Sequence, residues 1–237
     1  MPEQWFWPHL VNRRRALSWL PLEEDIVMEA KLSSDIAFTA SVKAMQSQRG
    51  SREAYARMEA RGGFQTKITP ELIAVLTEVD TAYLATANAA GQPYVQHRGG
   101  PKGFIRALDE TTLGFADYAG NRQYITLGNL AENDQAFLFL MDYAHRRRVK
   151  IWGRARIIEA DPELISRLMP KGYPARAERA VLFEARAWDV NCPRHIPQKL
   201  NAAEVAEVLA KLQTRIQFLE VENDKLRTTV RMSLEDR

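Results

Sequence analysis

Ala82-Tyr83-Leu84-Ala85-Thr86-Ala87-Asn88, then Ala89-Ala90-Gly91-Gln92, then Pro93-Tyr94-Val95-Gln96-His97-Arg98 reads as a strand, a turn and a return strand. Two short β-prone runs around a glycine-bearing turn predict an antiparallel hairpin. The pattern repeats toward the C-terminus. Gly99–Gly103 is a loop, and Phe104–Leu108 and Leu113–Asp117 flank a turn at Asp109–Thr112. Gln123–Leu130 predicts a short helix and Gln135–Met141 an apolar strand. Val149–Glu159 is a longer strand with a bulge expected at Gly153. Asp161-Pro162 opens a helix, and Ala180–Val190 supplies a last strand. Short strands joined by hairpins, with one short helix among them, predict an antiparallel barrel rather than a βαβ sheet.

Before the hairpin the chain is helical. Asp35 to about Arg61 carries Val42, Met45, Tyr55 and Met58 at helical spacing, divided at Gly50-Ser51, with Ser51 as an expected cap. Gly62-Gly63 closes this region. Thr69-Pro70-Glu71 opens another helix, with Thr69 at the cap and Pro70 in the first turn. Its buried face is Leu72, Val75, Leu76 and Val79. Residues 1–34 lack sustained periodicity. Their order, Trp5-Phe6-Trp7 ahead of Arg13-Arg14-Arg15, reverses that of an export signal. They are expected to form a flexible extension, with Met28 as an alternative start.

Residues 202–230 form a different object. Leu209, Ile216, Asn223 and Val230 alternate with Val205, Leu212, Leu219 and Leu226 at steps of four and three, the a and d positions of a heptad seam. β-Branched residues and one Asn at a, with Leu at d, favour a parallel two-stranded coil. The competing reading is an amphipathic helix packed on its own barrel.

Composition bounds the function. Basic and acidic residues number 33 and 30, a balance that argues for no nucleic-acid partner. Apolar runs such as Ala136–Met141 are strand-sized, so no stable membrane insertion is expected. The single cysteine, Cys192, excludes an internal disulfide and fits a reducing, cytoplasmic compartment. The four histidines, at 9, 97, 145 and 195, lack the spacing of a structural zinc site. Cys192 with His195 as its base has no visible third group to orient it.

Three segments carry the chemistry. Gln96-His97-Arg98-Gly99-Gly100-Pro101-Lys102-Gly103-Phe104 combines glycines, which let backbone approach a flat ligand, with donors on His97, Arg98 and Lys102. Alone it is equally an ordinary turn. In the second, Ala116 to Leu130, a strand ends at Asp117 and Gly120 turns the chain. Asn121 is expected to cap a helix whose first turn carries Arg122 and Gln123, with Thr126 following. A helix N-terminus beside an arginine suits a phosphate. In the third, Val149 and Ile151 facing the core would put Arg148, Lys150 and Trp152 together on the other face, a surface for a planar anion.

Together these segments resemble the FMN-binding split-barrel family typified by pyridoxamine-phosphate oxidase, and most closely a bacterial subgroup of predicted flavin-nucleotide-binding proteins. The shared strings run from Asp35 to Met58, Gln96 to Phe104, Gly120 to Asn133 and Trp188 to Gln198. The resemblance implies an α+β fold with a mainly β core. Its centre is an antiparallel split β-barrel of Greek-key type with peripheral helices. The expected organisation is an extension over 1–34, the barrel domain over 35–200 and a C-terminal coiled-coil helix over 201–237. It further implies FMN as cofactor, held by His97, Arg98, Gly99, Gly100, Lys102, Asp117, Asn121, Arg122, Gln123, Thr126, Arg148, Lys150 and Trp152. The flavin would lie at the interface of a homodimer, where Trp188, His195 and Gln198 would reach the partner's flavin.

The chain departs from the oxidase in three places. The Arg-x-x-x-Leu-Lys pattern is replaced by His97-Arg98-Gly99-Gly100-Pro101. The Ser-Arg-Lys phosphate clamp becomes Asn121-Arg122-Gln123. The C-terminal Arg-x-His motif gives way to Arg194-His195-Ile196-Pro197-Gln198. FMN binding is therefore implied, and oxidation of pyridoxamine phosphate is not. Arg98, Lys102 and Lys150 are the candidate cations for the flavin's pyrimidine edge. The expected function is an FMN-dependent oxidoreductase with a small electron donor or acceptor. The alternatives are a flavin carrier, sensor or storage protein without turnover, and a haem- or deazaflavin-binding relative.

Overall fold

The computed structural model describes residues 32–190 and 192–235. The proposed extension over 1–34 therefore lies almost wholly outside the described residues. A 3₁₀ turn, Ser33–Ile36, leads into α1 (Ala40–Gln48), α2 (Arg52–Ala60) and α3 (Pro70–Glu78). Thr69 Oγ1 accepts the Leu72 amide, as expected of a cap. Ser51 stands at the α2 cap position but makes no side-chain bond there. Leu72, Val75 and Leu76 of α3 and Val79 just after it are all less than 5% exposed.

Seven strands follow, with a helix between the fourth and fifth and another between the sixth and seventh: β1 (Thr81–Ala87), β2 (Pro93–Gly99), β3 (Arg106–Ala107), β4 (Thr112–Tyr118), α4 (Ile125–Glu132), β5 (Gln135–Asp142), β6 (Arg147–Ile158), α5 (Pro162–Leu168) and β7 (Ala177–Val190). They form one sheet in the order β2-β1-β5-β6-β7-β4-β3, with antiparallel pairing throughout. Period-two alternation sends Ala82, Leu84, Leu138, Leu140, Val149, Ile151, Val181, Phe183, Leu113 and Phe115 to one core, which α3 joins with its apolar face. The sheet is not closed, because β2 at one end does not pair with β3 or β4 at the other. The two ends are nevertheless joined by side chains: Arg98 on β2 forms an ion pair with Asp117 on β4. This is a split barrel.

The structure corrects three local expectations. Phe104 and Ile105 do not belong to a strand; both are almost wholly buried as core plugs, leaving β3 only two residues long. The bulge near Gly153 lies on the opposite strand. Trp152 pairs with Ala187 and Gly153 with Ala185, so the extra residue is Arg186 of β7. Gly153 is instead a point of close approach, since a Cβ there would overlap the Glu184 carbonyl. Finally, Asn121 does not cap α4. The cap position belongs to Tyr124, and the Asn121 side chain accepts from the Gln123 amide in a local turn.

The last element, α6 (Ala202–Glu235), begins where the Asn201 side chain accepts the Ala203 amide. Every α6 side chain whose burial is described is exposed. The helix is not packed on its own barrel.

Candidate functional site

The split in the barrel forms a cleft. β2 contributes Tyr94, Gln96 and Arg98, one face of an edge strand at period two. The end of β4 contributes Asp117 and Tyr118, the connection to α4 contributes residues 120–124, and the first turn of α4 contributes Ile125 and Thr126. β7 contributes Glu178 and Arg179. A second bulge places the last two. Asp117 pairs with Arg179 but Tyr118 with Ala177, so Glu178 is the extra residue. Bulges at barrel rims re-aim side chains in this way.

Asp117 organises the charges. It is 5% exposed, and it accepts from Arg98 Nη1 and, at 3.5 Å, from Arg179 Nη1. Arg179 also donates to Glu178 at 2.8 Å, and its guanidinium lies 5.6 Å from the centre of the Tyr124 ring. Arg98 Nε, Arg179 Nε and the Tyr118 hydroxyl are buried without a hydrogen-bond partner among the described residues, and Arg179 Nε lies 3.6 Å from the Glu159 carboxylate in an ion pair. Unsatisfied buried donors cost free energy, so three of them around one cleft call for an acceptor. Burial pushes the Tyr118 phenol pKa up, and neighbouring Tyr173 adds to this against the pull of Arg106. The phenol therefore remains a donor.

The rim is built from unusual backbone. Arg122 and Tyr124 have φ of 59° and 54°, a left-handed conformation that non-glycine residues seldom adopt. Such outliers cluster at ligand sites. Arg122 thus precedes α4 instead of lying in its first turn, and the helix N-terminus carries no side-chain cap. Gln96 accepts from the Thr126 hydroxyl at 2.6 Å, and the Asn129 amide donates to Thr86 at 3.0 Å. These bonds hold α4 against β2 and β1. The cleft measures about 50 Å³.

Arg98, Asp117, Asn121, Arg122, Gln123 and Thr126 therefore come together as the sequence predicts. His97 is exposed, with its ring 5.7 Å from that of Tyr83, and does not line this cleft; with Gly99 it lines an adjoining pocket of about 190 Å³ that shares Gln96, Arg98, Asp117 and Tyr118 with the cleft. Gly99 and Gly100 serve close packing. A Cβ at Gly100 would meet Phe104 at 2.8 Å and the Tyr118 hydroxyl at 3.3 Å; one at Gly99 would meet the His97 ring at 2.9 Å. Lys102 turns to Glu204 of α6 at 2.8 Å and to Glu78 at 3.5 Å.

Arg148, Lys150 and Trp152 do share the face opposite Val149 and Ile151, but they do not line the cleft. Trp152 stacks on Phe64 at 5.1 Å, and Lys150 pairs with Asp189 at 2.9 Å. Trp188 is a core residue, 3% exposed, and its indole N–H is satisfied by the Lys67 carbonyl at 2.7 Å. It has no surface to offer a ligand. His195 and Cys192 are exposed. Gln198 donates to the Ala144 carbonyl at 2.9 Å and helps hold this segment on the β5–β6 hairpin.

Sequence reasoning missed Arg179, Tyr118, Tyr94 and Glu178. Arg179 had a signal: Val181, Phe183 and Ala185 face inward, and the same alternation carried back two residues puts Arg179 inward too. Among the described residues no group of three or more His, Cys, Asp or Glu side chains is placed to hold a metal ion. No described helix is long and apolar enough to cross a membrane.

Comparison with known proteins places residues 68–192, more than half of the chain, on the pyridoxamine 5'-phosphate oxidase family model. Among solved structures, HupZ from Group A Streptococcus is 16% identical, covering 56% of this chain and 99% of that one, with a TM-score of 0.43. An FMN-binding protein from Syntrophomonas wolfei is 11% identical, with coverages of 62% and 97% and a TM-score of 0.39. HutZ, the heme storage protein from Vibrio cholerae, is 16% identical, with coverages of 52% and 94% and a TM-score of 0.36. No curated protein matches.

Proposed function

The chain belongs to the pyridoxamine 5'-phosphate oxidase family, and on that premise we propose that it is an FMN-binding flavoprotein whose cleft holds the phosphate of the flavin nucleotide. The observation that carries this reading is the set of buried donors without a hydrogen-bond partner among the described residues around a small cleft: Arg98 Nε, the Tyr118 hydroxyl, and Arg179 Nε, whose nearest carboxylate, Glu159, stands at 3.6 Å. Phosphate oxygens are acceptors that such donors lack, and charge-assisted bonds to them are the stronger kind. Asp117 holds the two guanidiniums in place. Arg122, at the rim, supplies a further cation, and the uncapped start of α4 adds favourable dipole. A cleft of about 50 Å³ is far below the roughly 300–1,000 Å³ of a pocket that encloses a drug-sized ligand. It accommodates a phosphate and not three fused rings.

The rings would then extend beyond it, past the adjoining pocket of about 190 Å³ that shares Gln96, Arg98, Asp117 and Tyr118, and in this reading they lie between the subunits of a homodimer. Arg148, Lys150 and Trp152 would then reach the flavin from the second subunit. Lys150 and Arg98 are the cations this reading assigns to the ring system. Lys102, tied to Glu204, and Trp188, buried in the core, stay outside it, while Lys150 would turn to the flavin from Asp189, which it meets at 2.9 Å. When bound, FMN supplies hydride and electron transfer, and the protein supplies orientation and charge. The reading is an oxidoreductase acting on a small electron donor or acceptor in the cytoplasm.

A haem reading has less support. The cleft offers only tyrosines among the usual axial ligands, and His97, which lines the adjoining pocket, is exposed. The absorption spectrum of the purified protein tests the proposal. Flavin bands in the blue and near ultraviolet are expected, and a Soret band in their place would overturn it. Reduction of the bound flavin by NADH or NADPH separates an oxidoreductase from a flavin carrier.

A further inference from the structure

We propose that α6 pairs in parallel and in register with α6 of a second copy of this chain. The inference is independent of the flavin reading, because it rests on the helix alone. Leu209, Leu212, Ile216, Leu219 and Leu226 are between 44% and 61% exposed, so the seam is open along the helix. From Val205 to Val230 it extends about 38 Å at 1.5 Å per residue. Such a stripe on an exposed helix wants a cover.

The flanking charges identify the cover. With Leu209, Ile216 and Asn223 at a, the g positions include Arg215 and Glu222, and the e positions include Glu220 and Arg227. In a parallel pair each g residue faces the e residue of the partner's next heptad, and these contacts set orientation and partner choice. Arg215 then faces Glu220 and Glu222 faces Arg227, and two-fold symmetry repeats both. All four contacts are attractive, and the two Asn223 amides meet each other.

The antiparallel alternative is poorer. Aligning the seam end to end brings Arg215 to Glu222 twice, leaves Glu220 and Arg227 against neutral residues, and sets each Asn223 amide against Leu212. Burying an amide against an aliphatic side chain is costly. Among the described residues Glu220, Glu222 and Arg227 have no ion pair within their own helix, so they are available to a partner. Arg215 lies over the Phe218 ring at 5.1 Å and would turn from it to pair. At its base the helix is tied to the barrel by Lys102–Glu204, so the coil would add to whatever contact the barrels make.

Cysteine cross-linking in the full-length chain, with Cys192→Ser removing the native thiol, tests this. Leu226→Cys lies at d, where a parallel in-register pair brings the two sulfurs within bonding reach. In the antiparallel alignment the two positions are about 25 Å apart. Val221→Cys lies at f and points away from a partner. Mild oxidation should give a covalent dimer with Leu226→Cys and none with Val221→Cys. Adding Arg215→Glu with Arg227→Glu should abolish the Leu226→Cys product, and so should Glu220→Lys with Glu222→Lys. Mixing the two sets should restore it as a heterodimer. No product from Leu226→Cys, equal products at both positions, or indifference to charge reversal would overturn the proposal.

Discussion

Asp117 is the buried carboxylate that Arg98 and Arg179 share, and Arg179 also has Glu178 at 2.8 Å and Glu159 at 3.6 Å, so loss of Asp117 falls chiefly on Arg98. Replacing it by Asn keeps the shape but removes the carboxylate that the largely buried Arg98 pairs with. Breaking a buried pair from one side costs about 3–5 kcal/mol. Asp117→Asn should therefore melt well below the wild type, and FMN should raise its Tm by more than it raises that of the wild type, since phosphate returns the missing negative charge. Equal shifts with FMN would argue that the phosphate sits elsewhere. Arg122→Ala should weaken FMN but hardly affect riboflavin, because it removes one charge-assisted contact worth roughly 1.5–3 kcal/mol, or about one to two decades in affinity. Equal losses would place Arg122 away from the phosphate. Asp142 supplies a pH signature. Burial opposes its charge, but bonds from the His145 amide and the Arg147 guanidinium outweigh that and hold its pKa below the ordinary 3.8. The unfolded chain then takes up this proton more readily than the folded one. The stability it contributes is complete above 3.8 and is lost as pH falls below that toward the folded value. The Tm gap between wild type and Asp142→Asn should narrow from about pH 6 to about pH 3; a constant gap would contradict this.

At the scale of elements, β6 and β7 show what a glycine does in a strand. A Cβ on Gly153 would overlap the Glu184 carbonyl and come within 2.7 Å of the Phe183 ring. Gly153→Ala should cost about 1–3 kcal/mol or more, seen as a lower Tm, and an unchanged Tm would show that the strands separate easily. The glycine was legible in the sequence as a special position, but its reason was not, because the bulged residue, Arg186, belongs to the neighbouring strand. The same division runs through the fold. α3 and the β1–β2 hairpin were readable because caps, turn residues and alternation are local signals. Trp188 was not, because its burial depends on the distant segment that accepts its indole N–H at Lys67 and bridges to Gln65. Asn121 misled because a turn-forming Asn and a capping Asn look alike when the chain beyond can turn left-handed at Arg122 and Tyr124. Half of the cleft was legible, since β2 and the β4–α4 connection carry distinctive strings. The other half, Glu178 and Arg179, lay just before the strand boundary read from the sequence.

For the whole molecule, the account joins a split barrel, a cleft of phosphate size and an exposed seam on α6. The first is a family property. The other two are surfaces of one protomer: a small cleft with buried donors that no described residue satisfies, and a seam with no cover among the described residues. In the proposed reading a symmetric pair of chains would answer both, with the flavin between the barrels and the helices joined beyond them. The central claim is that the cleft was built for the phosphate of FMN. Equilibrium titration of the flavin-free full-length protein with FMN and with riboflavin, followed by flavin fluorescence, tests it most directly. The account predicts saturable FMN binding, with riboflavin weaker by at least about tenfold, since one charge-assisted phosphate contact alone is worth that much. Equal affinity for the two, or no saturable binding of FMN, would contradict it.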